Sequence, residues 1–165
     1  MKKILFVLAM LAPVAAFAQK FGHVDVQAVI TSLPEYTRAE GELKAKGQEL
    51  ENELKTMQDE IQRKYEDYEK NKSTMNQTKQ QETEKNLNDL MQKFQQAQQD
   101  NAATFQRLQE EKLAPIQQKV FQAIENVGKN GGYVYIMQAE SIPYISATLS
   151  KDVTADVKAE VNKLK

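Results

Sequence analysis

The sequence has no cysteine, no tryptophan and one histidine, and only six glycines and four prolines in 165 residues. Without cysteine there is no disulfide scaffold, thiolate nucleophile, iron–sulfur cluster or zinc finger. A single histidine leaves nothing for a His-based metal site or a catalytic dyad. No Ser-His-Asp arrangement, buried carboxylate pair or metal-ligand spacing stands out. Gly128-Lys129 lacks the upstream glycine and the following Ser/Thr of a phosphate loop. The sequence therefore gives no ground for an enzyme, a cofactor, a metal or a nucleic-acid partner. His23 reads as a structural or surface residue, because nothing that could share a ligand is arranged around it. Few helix breakers combined with 27% charged residues favour helix over an all-β sandwich.

What is present begins with an address. Met1-Lys2-Lys3 is basic, Ile4 to Ala12 is apolar, and Ala16-Phe17-Ala18 precedes Gln19 as an A-x-A cleavage site. That order reads as a secretory signal peptide over residues 1–18. Its apolar run is well short of the roughly 20 residues needed to cross a bilayer. No second long apolar stretch follows, and no cysteine follows the cleavage site to carry a lipid, so the expected product is soluble. Losing two lysines leaves 20 basic and 23 acidic residues, a net charge of −3.

The remainder divides unequally. Phe21-Gly22-His23-Val24-Asp25-Val26 alternates and reads as one strand, followed by a turn or two of helix before Pro34. From Gln48 to Ala114 there are 67 residues without glycine or proline, rich in Glu, Gln, Lys, Asn and Asp. Pro115 is expected to interrupt this helical stretch. Ile116, Val120, Phe121, Ile124 and Val127 then form a denser apolar stripe, which Gly128 and Gly131-Gly132 should stop. Tyr133 to Met137 reads as a second strand and Tyr144 to Leu149 as a third. Val153, Val157, Val161 and Leu164 share one face of a closing helix, with Asp152 or Thr154 as its cap.

The long polar run reads as two helices folded back on each other. Leu54, Ile61, Tyr68 and Met75 recur every seven residues, with Leu43, Leu50 and Met57 as a companion row. Both rows lapse into polar residues further on. A seam of Leu87, Phe94 and Leu108, flanked by Leu90, Met91 and Phe105, opens in a different phase. One straight coiled coil cannot bury both seams, whereas two antiparallel helices can. The reversal is expected within Asn71-Lys72-Ser73-Thr74-Met75-Asn76, the stretch most indifferent to helix. The predicted architecture is α+β and mostly α, a single domain from residue 19. A small β head of 19–42 and 115–165 carries a helical-hairpin arm of 43–114. Two or three strands make a poor isolated sheet. The head is therefore expected to complete its core with copies of itself, through Val24, Val26, Val134, Ile136, Val157 and Val161.

The order of these parts resembles a known family. A signal peptide, a strand Phe21-Gly22-His23-Val24-Asp25, a polar helical hairpin, a strand after Gly131-Gly132 and a closing Asp152-Val153-Thr154-Ala155-Asp156-Val157 are similar to the OmpH/Skp family of periplasmic chaperones. The likeness covers essentially all of the chain after residue 18. It implies a jellyfish-like homotrimer, with an intersubunit β-barrel head and three arms around a cavity. It also implies ATP-independent holding of unfolded outer-membrane proteins in the periplasm. One departure stands out: the family's arms are cationic, whereas this chain is slightly acidic. Surface charge bears on partners, so no lipopolysaccharide or membrane site is carried over.

Holding an unfolded barrel needs scattered, adaptable contacts. Tyr65, Tyr68, Met75, Met91, Phe94 and Phe105 are the candidates, because Tyr and Met suit unspecific contact. Most of them also fit the simpler role of coiled-coil seam; Tyr65, off both rows, is the better exposed. Asn71-Lys72-Ser73 and Asn76-Gln77-Thr78 match the glycosylation tripeptide, which is common by chance. The alternative reading is a structural or adaptor protein of the envelope whose coiled coil holds no clients.

Overall fold

The computed structural model describes residues 19–164; the expected signal peptide lies outside the described residues. The element order is β1 (Lys20–Val24), α1 (Val26–Thr31), α2 (Pro34–Asn71), a short 3-10 turn (Lys72–Thr74), α3 (Gln77–Gly131), β2 (Tyr133–Gln138), a second 3-10 turn (Ala139–Ser141), β3 (Ser150–Asp152) and α4 (Thr154–Val161). The chain divides into two compact units. One is the hairpin unit, Leu33–Gln117, and the other is formed by the stretches on either side of it. The latter holds all three strands and is called the sheet unit below.

In the sheet unit the strand order is β2-β1-β3, and β1 runs parallel to both neighbours. Phe21 faces Tyr135 on one side and Ser150 on the other, and His23 faces Met137 and Asp152. The register slips between Lys20 and Phe21, which bulges Val134 out of the ladder. Beneath one side of the sheet lies a small core. Val24, Val29, Val120, Ala123, Val153, Val157 and Val161 are almost completely buried. Burying one such valine contributes about 1.5–3 kcal/mol. Valine and alanine are compact enough for helices to lie close, which is how so few residues make a dense interior.

The ends of β1 and β3 are tied by caps. Asp25 ends the strand and accepts from the Ala28 N–H at 2.7 Å as the N-cap of α1. Its own N–H donates to Thr154 Oγ1 at 3.0 Å. Asp152 Oδ1 accepts from the Thr154 N–H at 2.9 Å, and the Val153 N–H donates to the His23 carbonyl at 2.9 Å. The two Thr154 hydrogen bonds, with the nearby His23 as a minor contribution, hold the Asp152 carboxyl below its usual range.

Four expectations change here. Val26 belongs to α1 rather than to the first strand: alternation continues past Val24 because both valines are buried, but the Asp25 cap starts a helix between them. Pro115 sits inside α3 without ending it. A proline forgoes one helical hydrogen bond, and buried Ile116, Val120 and Ala123 anchor the helix just beyond it. Gly128 also lies within α3, facing Ile136 Cδ1, and the helix stops only at Gly131. There a Cβ would strike the Tyr133 ring, and Gly132 takes a φ of +66°. Finally, the third strand is Ser150–Asp152, not Tyr144–Leu149. Pairing with β1 sets its position, so it falls on polar residues after the apolar ones.

In the hairpin unit α2 has 38 residues, about 57 Å at 1.5 Å per residue. Leu33 precedes it without a side-chain cap, and Pro34 opens the helix, where its missing N–H costs nothing. The chain reverses over Lys72–Asn76: the 3-10 turn passes to extended Met75, and Asn76 Oδ1 accepts from the Lys79 N–H at 2.9 Å to cap α3. Gln80 Nε2 donates to the carbonyls of Lys72 at 2.7 Å and Met75 at 3.2 Å, stapling the reversal. The two helices stay in antiparallel register down their length. Tyr68 donates to Glu84, Asn101 to the Leu50 carbonyl at 3.4 Å, the Phe105 ring covers Gly47, and Lys112 pairs with Glu42 at 2.7 Å.

Candidate functional surfaces

Among the described residues the sheet is covered on one side only. All-parallel sheets are ordinarily buried on both faces, so the second side of this one is out of keeping with its topology. Residues paired in register share a face, which places Phe21, His23, Tyr135, Met137, Ser150 and Asp152 together. The Phe21 and Tyr135 rings stack at 6.2 Å with 12° between their planes. Stacking does not hide them: Tyr135 is 62% exposed, Met137 54% and Phe21 38%. Tyr144 at 80% and Leu149 at 75% are more exposed still, on the loop before β3. An open cavity of about 570 Å³ lies at the Lys20 end of β1, lined by Gln19, Lys20, Phe21, Tyr133, Ala147, Thr148, Leu149, Ser150 and Lys151. An apolar concentration of this kind marks an interaction surface rather than ordinary scatter.

The residues expected to join copies fall mostly elsewhere. Val24, Val26, Val157 and Val161 lie in the unit's own core. Ile136 is half-buried against Gly22 and Gly128, and Val134 is exposed at the bulge. The valines therefore support the open face from behind. The side chains that form it, Phe21, Tyr135 and Met137, were legible as the opposite phase of the alternation that singled out Val24 and Ile136.

The hairpin unit has a different surface. Leu50 and Leu87 are buried, and Leu43, Leu54, Met57, Ile61, Leu90 and Leu108 are half-buried along the helix pairing. Tyr68, Met75, Phe94 and Phe105 are half-buried on the same seam. Tyr65 at 52% exposed and Met91 at 50% stand clear of it. Near the reversal, a cleft of about 220 Å³ is lined by Lys64, Asp67, Tyr68, Asn71, Met75, Thr83, Asn86 and Leu87. Glu84 accepts the Tyr68 hydroxyl and holds that phenol above its usual range. Lys112 does the reverse for Glu42, keeping its carboxyl low. The rest of the surface is polar, with short-range ion pairs such as Lys46–Glu49 and Lys72–Glu69.

Among the described residues no group of three or more His, Cys, Asp or Glu could hold a metal ion. No helix among them is long and apolar enough to cross a membrane. The two units present a compact apolar face in one and a long, polar surface with isolated apolar points in the other.

The profile of a family described as outer membrane protein (OmpH-like) matches residues 20–161. A protein named Chaperone protein Skp from Yersinia enterocolitica is 30% identical over 161 residues, covering 93% of each chain. One of the same name from Pectobacterium atrosepticum is 28% identical over 159 residues, covering 94% of this chain and 92% of its own. A crystal structure of an OmpH-like protein from Caulobacter crescentus superposes with a TM-score of 0.74 at 14% identity, over 88% of this chain and 85% of that one.

Proposed function

The chain belongs to the OmpH-like family, and from that premise we propose that it is a periplasmic chaperone that holds unfolded outer-membrane proteins without nucleotide. Residues 1–18 would direct export and be removed, and the chain from Gln19 onward would act as one self-associating domain, a homotrimer by family resemblance. The observation that carries the reading is the contrast between an open apolar sheet face and a polar antiparallel hairpin. The first supports joining of copies, because covering Phe21, Tyr135 and Met137 supplies the second layer that a parallel sheet requires. The second suits clients.

An unfolded β-barrel segment alternates apolar and polar side chains and carries unpaired backbone groups, so it aggregates through its edges. Tight burial of such a client would trap it. Weak contacts at exposed Tyr65 and Met91, with Tyr68, Met75, Phe94 and Phe105 as the seam opens locally, hold it without a fixed geometry. Several hairpins in one assembly multiply those contacts into avidity. Release then needs only a client that folds elsewhere. The slight net acidity gives no support to binding of anionic lipid or lipopolysaccharide.

The test is dilution of a urea-unfolded outer-membrane porin into buffer with the chain from Gln19 onward, at about one assembly per client. Light scattering is expected to stay low. Scattering equal to that of porin alone would contradict the chaperone reading and favour a structural adaptor of the envelope, which would instead bind a folded partner at fixed stoichiometry.

A further inference from the structure

We propose that the cavity at the Lys20 end of β1 binds the free C-terminus of an unfolded client, taking its carboxylate and its apolar last residue together. This rests on the client-holding reading above. β1 runs parallel to both neighbours, so Lys20, Tyr133 and Ser150, the first residues of the three strands, gather at one end. The cavity of about 570 Å³ opens there. Its lining combines charge with apolar surface. Lys20 and Lys151 bring two ammonium groups to it, and among the described residues none that line it is Asp or Glu. In a chain of net charge −1 that local excess of positive charge favours an anion. The exposed Phe21 and Leu149 supply an apolar wall beside the lysines.

Both ammonium groups are held in place without being used up. Lys20 Nζ donates to the Gly131 carbonyl at 3.1 Å. Lys151 Nζ pairs with Asp156 at 2.8 Å, with the Tyr133 phenol close by. A lysine has three N–H donors, so each keeps at least one for a ligand. The Thr148 and Ser150 hydroxyls line the same cavity and add polar partners. Cavities of roughly 300–1,000 Å³ suit a compact ligand, here the last few residues of a chain rather than a strand passing through. A terminal residue carries its carboxylate beside its own side chain, so it meets the lysines and the apolar wall at once. Capture of a terminal carboxylate is a recurring mode of peptide recognition. An acidic residue within a strand has no apolar group of its own to offer. The strands of outer-membrane barrels end at girdles of aromatic residues. An uninserted client whose last strand ends this way presents an aromatic or aliphatic group close to its terminal carboxylate.

Fluorescence anisotropy with the chain from Gln19 onward tests this, using a short labelled peptide that ends in phenylalanine with a free carboxylate. The same peptide closed as an amide is expected to bind about five- to tenfold more weakly, as the loss of one or two exposed ion pairs allows. A peptide with an internal glutamate and an amidated end should bind no better than the amide. The double variant Lys20→Gln/Lys151→Gln should bring the free acid down to the level of the amide and leave the amide unchanged. Equal binding of acid and amide by the native chain overturns the inference, and so does binding of neither. An internal glutamate that binds as well as the free end overturns it too. The porin dilution above separates the two readings. Preference for the free acid in a chain that leaves porin aggregation unchanged keeps the cavity and overturns client holding. Suppressed aggregation with no such preference overturns the cavity alone.

Discussion

The two units bury their apolar residues in opposite ways. In the sheet unit, valines and one alanine from three helices and two strand ends are almost wholly enclosed, and the aromatic residues are left outside. In the hairpin unit few side chains are fully buried, Leu50 and Leu87 among them, while leucines, Met57 and Ile61 spread half-buried along some 40 residues of each helix. The first arrangement concentrates stability in a small volume and frees a face for another molecule. The second distributes modest stability along the length of the helix pairing. Under the proposed function the two arrangements would suit different tasks: a joint between copies needs a defined surface, whereas holding a disordered client needs many undemanding ones.

The comparison breaks most readily in the core. Val157→Asp places a carboxylate where the native side chain is fully buried, and a change of this kind costs about 4 kcal/mol or more. Leu54→Asp, on the half-buried seam, should cost about 1–2 kcal/mol. Urea titrations followed by circular dichroism check both. Equal losses would mean that the hairpin carries a core as dense as that of the sheet unit.

A smaller effect sharpens the same contrast through pH. The Asp152 carboxyl is held below its ordinary 3.8, chiefly by Thr154. A depressed carboxylate contributes stability that is present above its unfolded value and lost as pH falls through the folded one. The sheet unit should therefore weaken as pH falls below about 4, and Asp152→Asn should flatten that part of the urea midpoint's pH profile. An unchanged profile would assign the acid sensitivity to other carboxylates.

The hairpin was legible because its signal is long: a run free of glycine and proline, and two seven-residue rows out of phase, leave one place to turn. That place, Asn71 to Asn76, is composed of residues that compete locally with helix. The closing helix was legible from its valine spacing, although its N-cap is Val153, with no side-chain cap bond, rather than Asp152 or Thr154. Less of the sheet was readable. Val24 and Val26 look like one alternating strand because burial continues across Asp25, although the backbone changes type there. Ser150–Asp152 carries no strand propensity of its own, and only pairing with β1 places it. Pro115 reads locally as a stop, yet the packing of Ile116 and Val120 outweighs one lost hydrogen bond. The open face was missed because apolar β-branched residues suggested contact between copies, whereas Val24, Val26, Val157 and Val161 fill the chain's own interior and the aromatic phase of the same strands faces outward.

The account depends on that outward face being the joint between copies. Its most direct test is sedimentation velocity on the chain from Gln19 onward beside the double variant Phe21→Ser/Tyr135→Ser. Joined copies are expected for the native chain and single chains of undiminished helicity for the variant. An undisturbed assembly in the variant would contradict the account, because copies would then meet through some other surface.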